Sequence, residues 1–376
     1  MSEGGAPSRG GRANSNAGSS PGGDSGDSAP CPSIGCECDP GETRCSGAQP
    51  EVCQGGRWAP SGAACLAAHL CEEGTCTEFP SCSGLAPRCG AAADESCCES
   101  LAVPGGTFNR SNDEQYPATV SSFRLDKFEI TVGRFRRFVD AVVGGWRPED
   151  GAGKHIHLND GLGLVHDEEP SGYERGWDSA WDGYLFDSKS DWDDFLACDS
   201  SFATWTPNAG ANENRPMNCA DWYQLRAFCI WDGGFMPSEA EWNYAAAGGD
   251  QQRWQPWGGT RDADHAVYGC LYNGNGTCTG VTNIAPVGSK PLGDGRFGHA
   301  DLVGSIREFV LSIPYQVPCI DCGGADSTNT TSIERGGSYG PLLSQGEASM
   351  ATTSGRRASQ RTPGHQEIGA RCARTP

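Results

Sequence analysis

Seven histidines, 20 cysteines and a tryptophan-rich acidic stretch are the residues of this 376-residue chain that could do chemistry. His155 and His157 stand two apart, as two ligands on one face of a strand would, and His166 follows nearby. A zinc or copper site needs a third ligand and a fixed outer shell; in so polar a loop, solvent-exposed imidazoles are the simpler expectation. Cys319 and Cys322 form a CxxC, the spacing of thiol redox motifs. Those motifs open a helix after a strand, whereas VPCIDCGG is flanked by Pro and Gly and reads as a structural clip. Trp177, Trp181, Trp192 and Trp205 are interleaved with Asp178, Asp182, Asp191, Asp193 and Asp194. Aromatic faces beside acids suit sugar recognition, and paired acids suit glycoside hydrolysis. The same residues also describe the core of a large insertion, which is the reading we favour. Trp231, Trp242, Trp254 and Trp257 are expected in the core as well.

The elements that must position these residues are bounded by composition. A formal charge of −20, with no basic stripe to neutralise phosphates, argues against nucleic-acid partners. The cysteines divide into twelve between Cys31 and Cys98 and eight between Cys198 and Cys372, both even, as closed sets of disulfides require. Such density fits an oxidising, extracytoplasmic setting: periplasm, outer surface or medium. No apolar signal-peptide core follows Met1, so no export signal is visible, and membrane attachment would have to come from a lipoprotein-type leader. No run approaches the roughly 18 apolar residues of a membrane-spanning helix.

Along the chain, residues 1–30 are low-complexity and read as a disordered tether. Residues 31–100 read as a cysteine-rich module in which disulfides, rather than zinc, substitute for an aliphatic core; the paired CxxC knuckles of zinc modules are missing there. Residues 101–376 read as the main domain. It opens with a turn and strand at VPGGTF, then the strand FRLDKFEIT. Thr131 can cap a helix whose Phe135, Phe138, Val139 and Val142 fall at i, i+3, i+4 and i+7. A second helix buries Trp222, Leu225 and Cys229. A third opens on a Ser238/Glu241 capping box and ends at Gly248 and Gly249. Short strands, few helices and long Gly-rich loops give an α+β fold class.

The segments PMNCADWYQLRAFCIWDGGFMPSEAEWNYAAAGG, DLVGSIREFV, RGGSYGPLLSQG and GARCAR, with the VPGG opening and the EITVGRFRRFV helix, make residues 103–374 resemble the formylglycine-generating enzyme, or sulfatase-modifying factor, family, whose fold is related to C-type lectins. The resemblance implies copper- and oxygen-dependent oxidation of a protein cysteine, through two cysteines that follow RGGS(F/Y). Pro341 and Gly346 stand at those positions here, so copper and oxidase activity are not expected. The resemblance further implies calcium, held by Asp301, the carbonyls of Gly304 and Ile306, and Glu308, although Arg307 and Phe309 replace the usual aromatic pair and Ser305 an asparagine. It pairs Cys229 with Cys372. Cys270 with Cys278 would clip a hairpin, Cys319 would close on Cys322, and Cys198 and Cys219 remain. The old active-site wall, with Arg335, Ser338, Tyr339, Arg356, Arg357 and Arg361, is expected to form a ligand cleft, as in lectin-like members that bind without catalysis. The expected function is a secreted or surface-tethered binding protein for a peptide, glycan or envelope protein, the alternative being an oxidase whose metal ligands have moved.

Overall fold

The computed structural model describes residues 36–376 apart from 47, 167–171, 273–275, 312–317, 324–329 and 342–350. The expected tether at 1–30 and Gly346 lie outside the described residues. The chain forms two compact units, Met1–Glu42 with Val52–Ala59, and Thr43–Glu51 with Pro60–Pro376. In the first, the Cys38–Cys53 disulfide closes a loop whose amides at Glu37 and Gly41 donate to the Gly56 and Cys53 carbonyls.

Within the second unit, the cysteine-rich segment before residue 101 packs against the core. The Ser81 amide donates to Asp232, Arg134 donates to the Cys97 carbonyl, and the Arg374 guanidinium lies 3.8 Å over the Phe79 ring. The pairs Cys45–Cys71, Cys65–Cys76, Cys82–Cys98 and Cys89–Cys97 hold this segment.

Strands precede the helices: β1 (Thr43–Ser46), β2 (Gln49–Gln54), β3 (Arg57–Pro60), β4 (His69–Glu72), β5 (Thr75–Glu78), β6 (Ser100–Val103), β7 (Gly106–Asn109), β8 (Pro117–Val120) and β9 (Phe123–Asp126). Helices α1 (Val132–Val143), α2 (Lys189–Leu196), α3 (Trp222–Trp231) and α4 (Glu239–Ala246) follow. The chain closes with β10 (Arg307–Val310), β11 (Cys319–Ile320), β12 (Thr331–Arg335), β13 (Arg356–Gln360), β14 (Ile368–Gly369) and β15 (Ala373–Arg374). The fold is α+β, as the sequence indicates: short strands, few helices, long loops and many disulfides. No helix among the described residues is long and apolar enough to cross a membrane.

Local chemistry sets the helices. The Thr131 hydroxyl accepts the Arg134 amide and starts α1, whose Phe135, Phe138, Val139 and Val142 are all buried. Residues 222–229 of α3 are buried on every side, not along one face, because the 146–205 insertion covers the helix that a one-sided pattern would expose. Ser238 and Glu241 make the reciprocal cap of α4.

Three small sheets carry the long-range connections. β10 is central in the order β13-β12-β10-β14, antiparallel to β12 and parallel to β14. β9 sits between β15 and β6, and β8 between β11 and β7. One core gathers α1, α3 and the tryptophans of the insertion; a second lies under β6, β8, β9 and α4.

Candidate functional site

The strip that follows β12 is the place to build from. At Gly337 φ is 73°, and an added Cβ would lie 2.9 Å from the Ala351 Cα, so the chain can turn there only without a side chain. Past this turn, the Tyr339 ring stacks on Phe202 at 5.9 Å and its amide donates to the Ser305 carbonyl at 2.6 Å. The carbonyls of Tyr339 and Gly340 accept amides from Cys270 and Gly269, which leads the chain to a half-buried Pro341.

Arg335, at the end of β12, is fully buried against Glu239 and donates to the Gly355 and Thr353 carbonyls. Arg356, its partner across the β12–β13 ladder, reaches within 3.9 Å of the same carboxylate, and Arg110 within 4.0 Å. Burial, and after it the charges of Arg356 and Arg110, hold the Arg335 guanidinium well below its ordinary value. The structure thus brings Arg335 and Arg356 together. It does not bring the other four to them. Arg357 is exposed opposite Glu334, Arg361 is buried over Trp222 at 4.1 Å, Tyr339 packs in the Val267–Ile306 cluster, and Ser338 Oγ accepts the Gly340 amide.

Cys229 is joined to Cys372, Cys270 to Cys278, Cys319 to Cys322 and Cys198 to Cys219, and no cysteine among the described residues is free. Pro341 and Gly346 offer no soft side-chain donor, so the residues present do not fit the family's copper ion.

The oxygen-rich turn before β10 is different. Asp301 adopts φ 55° and its carboxylate accepts the Gly288 amide; at Gly304 an added Cβ would lie 2.6 Å from the Val267 carbonyl. Glu308 is committed: Oε1 accepts Arg371 Nη2 at 2.7 Å, while Oε2 accepts Arg371 Nε at 2.8 Å and Trp242 Nε1 at 2.9 Å. Glu129, which the sequence did not single out, is fully buried beside Asp301 and Ser305; the Ser305 hydroxyl lies near enough to favour its charged form, although no bond to either carboxylate oxygen has full hydrogen-bond geometry. Burial first, and then Asp301, push the Glu129 carboxyl well above its usual range. Glu129 and Asp301 thus form a pair of buried carboxylates beside this turn, while Glu308 is already matched by Arg371 and Trp242; among the described residues no group of three or more His, Cys, Asp or Glu stands together as a metal site.

The histidines are placed otherwise than a polar loop suggested. His155 is fully buried, with Nδ1 2.7 Å from Glu174 and Nε2 3.0 Å from Glu241. Burial opposes its charge, but the two carboxylates outweigh burial and raise its pKa to about 10. It is a buried imidazolium, not a metal ligand. His157 stacks on Phe235 beside it. Trp177, Trp181, Trp192 and Trp205 are core residues, and Asp182 and Asp193 accept the indole N–H of Trp177 and Trp205 instead of facing a sugar. Trp254, expected in the core, is 61% exposed.

Residues 86–376 match the family model described as "Sulfatase-modifying factor enzyme 1-like domain". The chain is similar to the formylglycine-generating enzyme of Mus musculus, 24% identical over 255 residues, which is 63% of this chain and 65% of that protein. It is 27% identical over 235 residues to the inactive C-alpha-formylglycine-generating enzyme 2 of Bos taurus, 56% of this chain and 69% of the relative. Among solved structures, PvdO from Pseudomonas aeruginosa aligns over 74% of this chain and 94% of its own, at 18% identity and a TM-score of 0.46. The chain thus spans just under two thirds of the mouse enzyme it matches.

Proposed function

We propose a function from one premise: the chain belongs to the sulfatase-modifying factor enzyme 1-like family. Within that family it acts as an extracytoplasmic binding protein, not as a thiol oxidase. The observation that carries this reading is the missing donor pair: Pro341 and Gly346 occupy the cysteine positions, and every described cysteine is in a disulfide. Oxidation of a cysteine on linear Cu(I) needs two soft ligands, which nothing in the described wall supplies. A relative named as inactive, at 27% identity, is consistent with this loss. The disulfides fit an oxidising compartment.

The ligand is a peptide, glycan or envelope protein received along the β12–β13 wall, where Arg335 and Arg356 flank Glu239. Calcium, held by Asp301 and Glu129 with the carbonyls of Gly304 and Ile306, is structural: it neutralises buried carboxylates beneath the turn that leads into β10. The alternative is a formylglycine-generating oxidase with relocated ligands, favoured by the activity named for the mouse relative.

One sample tests the set. The native protein is unfolded without reductant, alkylated and weighed for free thiols, while metal content is measured on the folded material. The expected result is no free thiol, no copper, and calcium that is lost in a Glu129→Gln variant. Two alkylated thiols with stoichiometric copper would replace this reading with the oxidase.

A further inference from the structure

The outer edge of β7 carries one main-chain position that nothing else among the described residues uses. The Arg110 amide donates to the Tyr116 carbonyl, which fixes these two residues as a hydrogen-bonded pair continuing the β7–β8 ladder. Alternation along an antiparallel ladder then makes Gly106–Val120 and Phe108–Ala118 hydrogen-bonded pairs, and turns the N–H and C=O groups of Thr107 and Asn109 away from β8. Pro117, which has no N–H to give, stands opposite Asn109 as this register requires. The two outward positions differ. At Asn109 the side chain of Gln252 takes the place of a neighbouring strand: its Oε1 accepts the Asn109 amide at 2.6 Å and its Nε2 donates to the Asn109 carbonyl at 3.1 Å. At Thr107 no described group does so.

Thr107 instead lines a cavity of about 310 Å³, at the small end of ligand sites, which run from about 300 to 1,000 Å³. Gly106, Tyr244, Phe297, Asp250 and Arg296 line it too. The φ of Gly106 is not positive, yet a Cβ there would lie 2.4 Å from the Tyr244 hydroxyl, so the missing side chain is what lets this ring of α4 approach the strand. The Tyr244 and Phe297 rings stack at 6.3 Å and supply an apolar wall. The rim carries one charge of each sign. Arg296 spends Nη1 on Asp250 and on the Gly248 carbonyl, both at 2.8 Å, which leaves Nε and Nη2 for another acceptor.

The neighbouring positions on this edge are taken, by Gln252 at Asn109 and by the Ser122 hydroxyl at the Gly105 amide, so a ligand pairs with Thr107 alone. It has to present a donor and an acceptor side by side, as the Gln252 carboxamide does. The N–H and C=O of a single trans amide point in opposite directions and do not meet this demand. The two groups that flank one Cα do. In a free α-amino acid those groups are an ammonium and a carboxylate, the charges that Asp250 and Arg296 complement. We propose that this cavity binds one free α-amino acid with an apolar side chain, its carboxylate on the Thr107 amide, its ammonium on the Thr107 carbonyl and its side chain against Phe297 and Tyr244. The site shares no residue with the β12–β13 wall and stands whether or not that wall binds a ligand.

Equilibrium dialysis of the full chain against labelled L-leucine and L-phenylalanine tests it. Saturable binding at one site per chain is expected for at least one of the two. N-acetyl-L-leucinamide, which keeps the flanking N–H and C=O but neither charge, is expected not to compete. Thr107→Pro removes the outward amide at an edge position of the kind that tolerates proline, and is expected to weaken binding about tenfold or more. Should that variant not fold, Asp250→Asn at the exposed rim keeps the shape and removes the anion, and a similar loss is expected. No saturable binding of either amino acid, full competition by N-acetyl-L-leucinamide, or undiminished affinity in a folded Thr107→Pro or Asp250→Asn variant would overturn the proposal.

Discussion

His155 shows how a single titrating side chain can set the pH range of a fold. Its folded pKa of about 10 lies above the ordinary 6.5, because Glu174 and Glu241 prefer the imidazolium more strongly than burial disfavours it. A raised histidine pKa means that the stabilisation is fully present below about 6.5 and is lost as pH rises through about 10. Glu174 and Glu241 are correspondingly held below their usual range: burial opposes this, and His155 overcomes it. His155→Gln is therefore expected to cost about 3–5 kcal/mol at neutral pH, since two buried carboxylates lose their cation. It should also flatten the decline in stability that wild-type protein shows on the alkaline side. Urea midpoints at a series of pH values measure both effects, and parallel slopes for the two proteins would count against this role. None of this was legible in the sequence, because the triad unites residues 19 and 86 positions apart and no local pattern announces it. Glu129 escaped notice for the same reason: within FRLDKFEIT it looks like one more strand acid, and only the fold buries it beside Asp301.

Among the elements, the helices were the readable part. Thr131 and the Ser238–Glu241 box are local signals, fixed within four residues, and the structure keeps both. Strand order was not readable, since β10 takes its neighbours from residues 331–335 and 368–369, and β9 from 100–103 and 373–374, with nothing in strands of two to five residues to specify partners. The α4 cap is more than a cap, however. Glu241 Oε2 accepts the Ser238 amide at 2.7 Å and also faces His155, so the helix start and the buried imidazolium share one carboxylate. Ser238→Ala, which removes the hydroxyl that accepts the Glu241 amide, is expected to cost about 1–2 kcal/mol, at the upper end for a lost cap. A loss well under 0.5 kcal/mol in denaturant unfolding would show that His155 alone holds Glu241 in place.

For the molecule as a whole, covalent and ionic links substitute for extended regular structure. Cys229–Cys372 spans 143 residues and contributes about 4–5 kcal/mol on the chain-entropy view. A Cys229→Ala/Cys372→Ala variant is expected to melt cooperatively at a lower temperature by that measure; an unchanged melting profile would assign the closure to the ion pairs instead. Those pairs are substantial. Arg134 and Arg374 both reach Asp126 and Asp232, all four buried, so that two cations and two anions balance inside the core. The cleft residues illustrate where sequence reading stopped at this scale. Arg356, Arg357 and Arg361 look like one basic patch in the chain, but strand alternation and the turn after β13 send them to three different environments.

Residues 371–374 carry more of this architecture than their number suggests. Arg371 neutralises Glu308, Cys372 staples α3, Ala373 and Arg374 complete the sheet beside β9, and Arg374 closes the ion-pair square. A ribosome delivers them after every group they satisfy. Until they emerge, Asp126, Asp232 and Glu308 stand in the nascent chain without these partners, and β9 has an open edge. Emergence of residues 371–374 is thus the event that licenses the core, and a chain cut before them would present itself to the cell's proteases as unfinished.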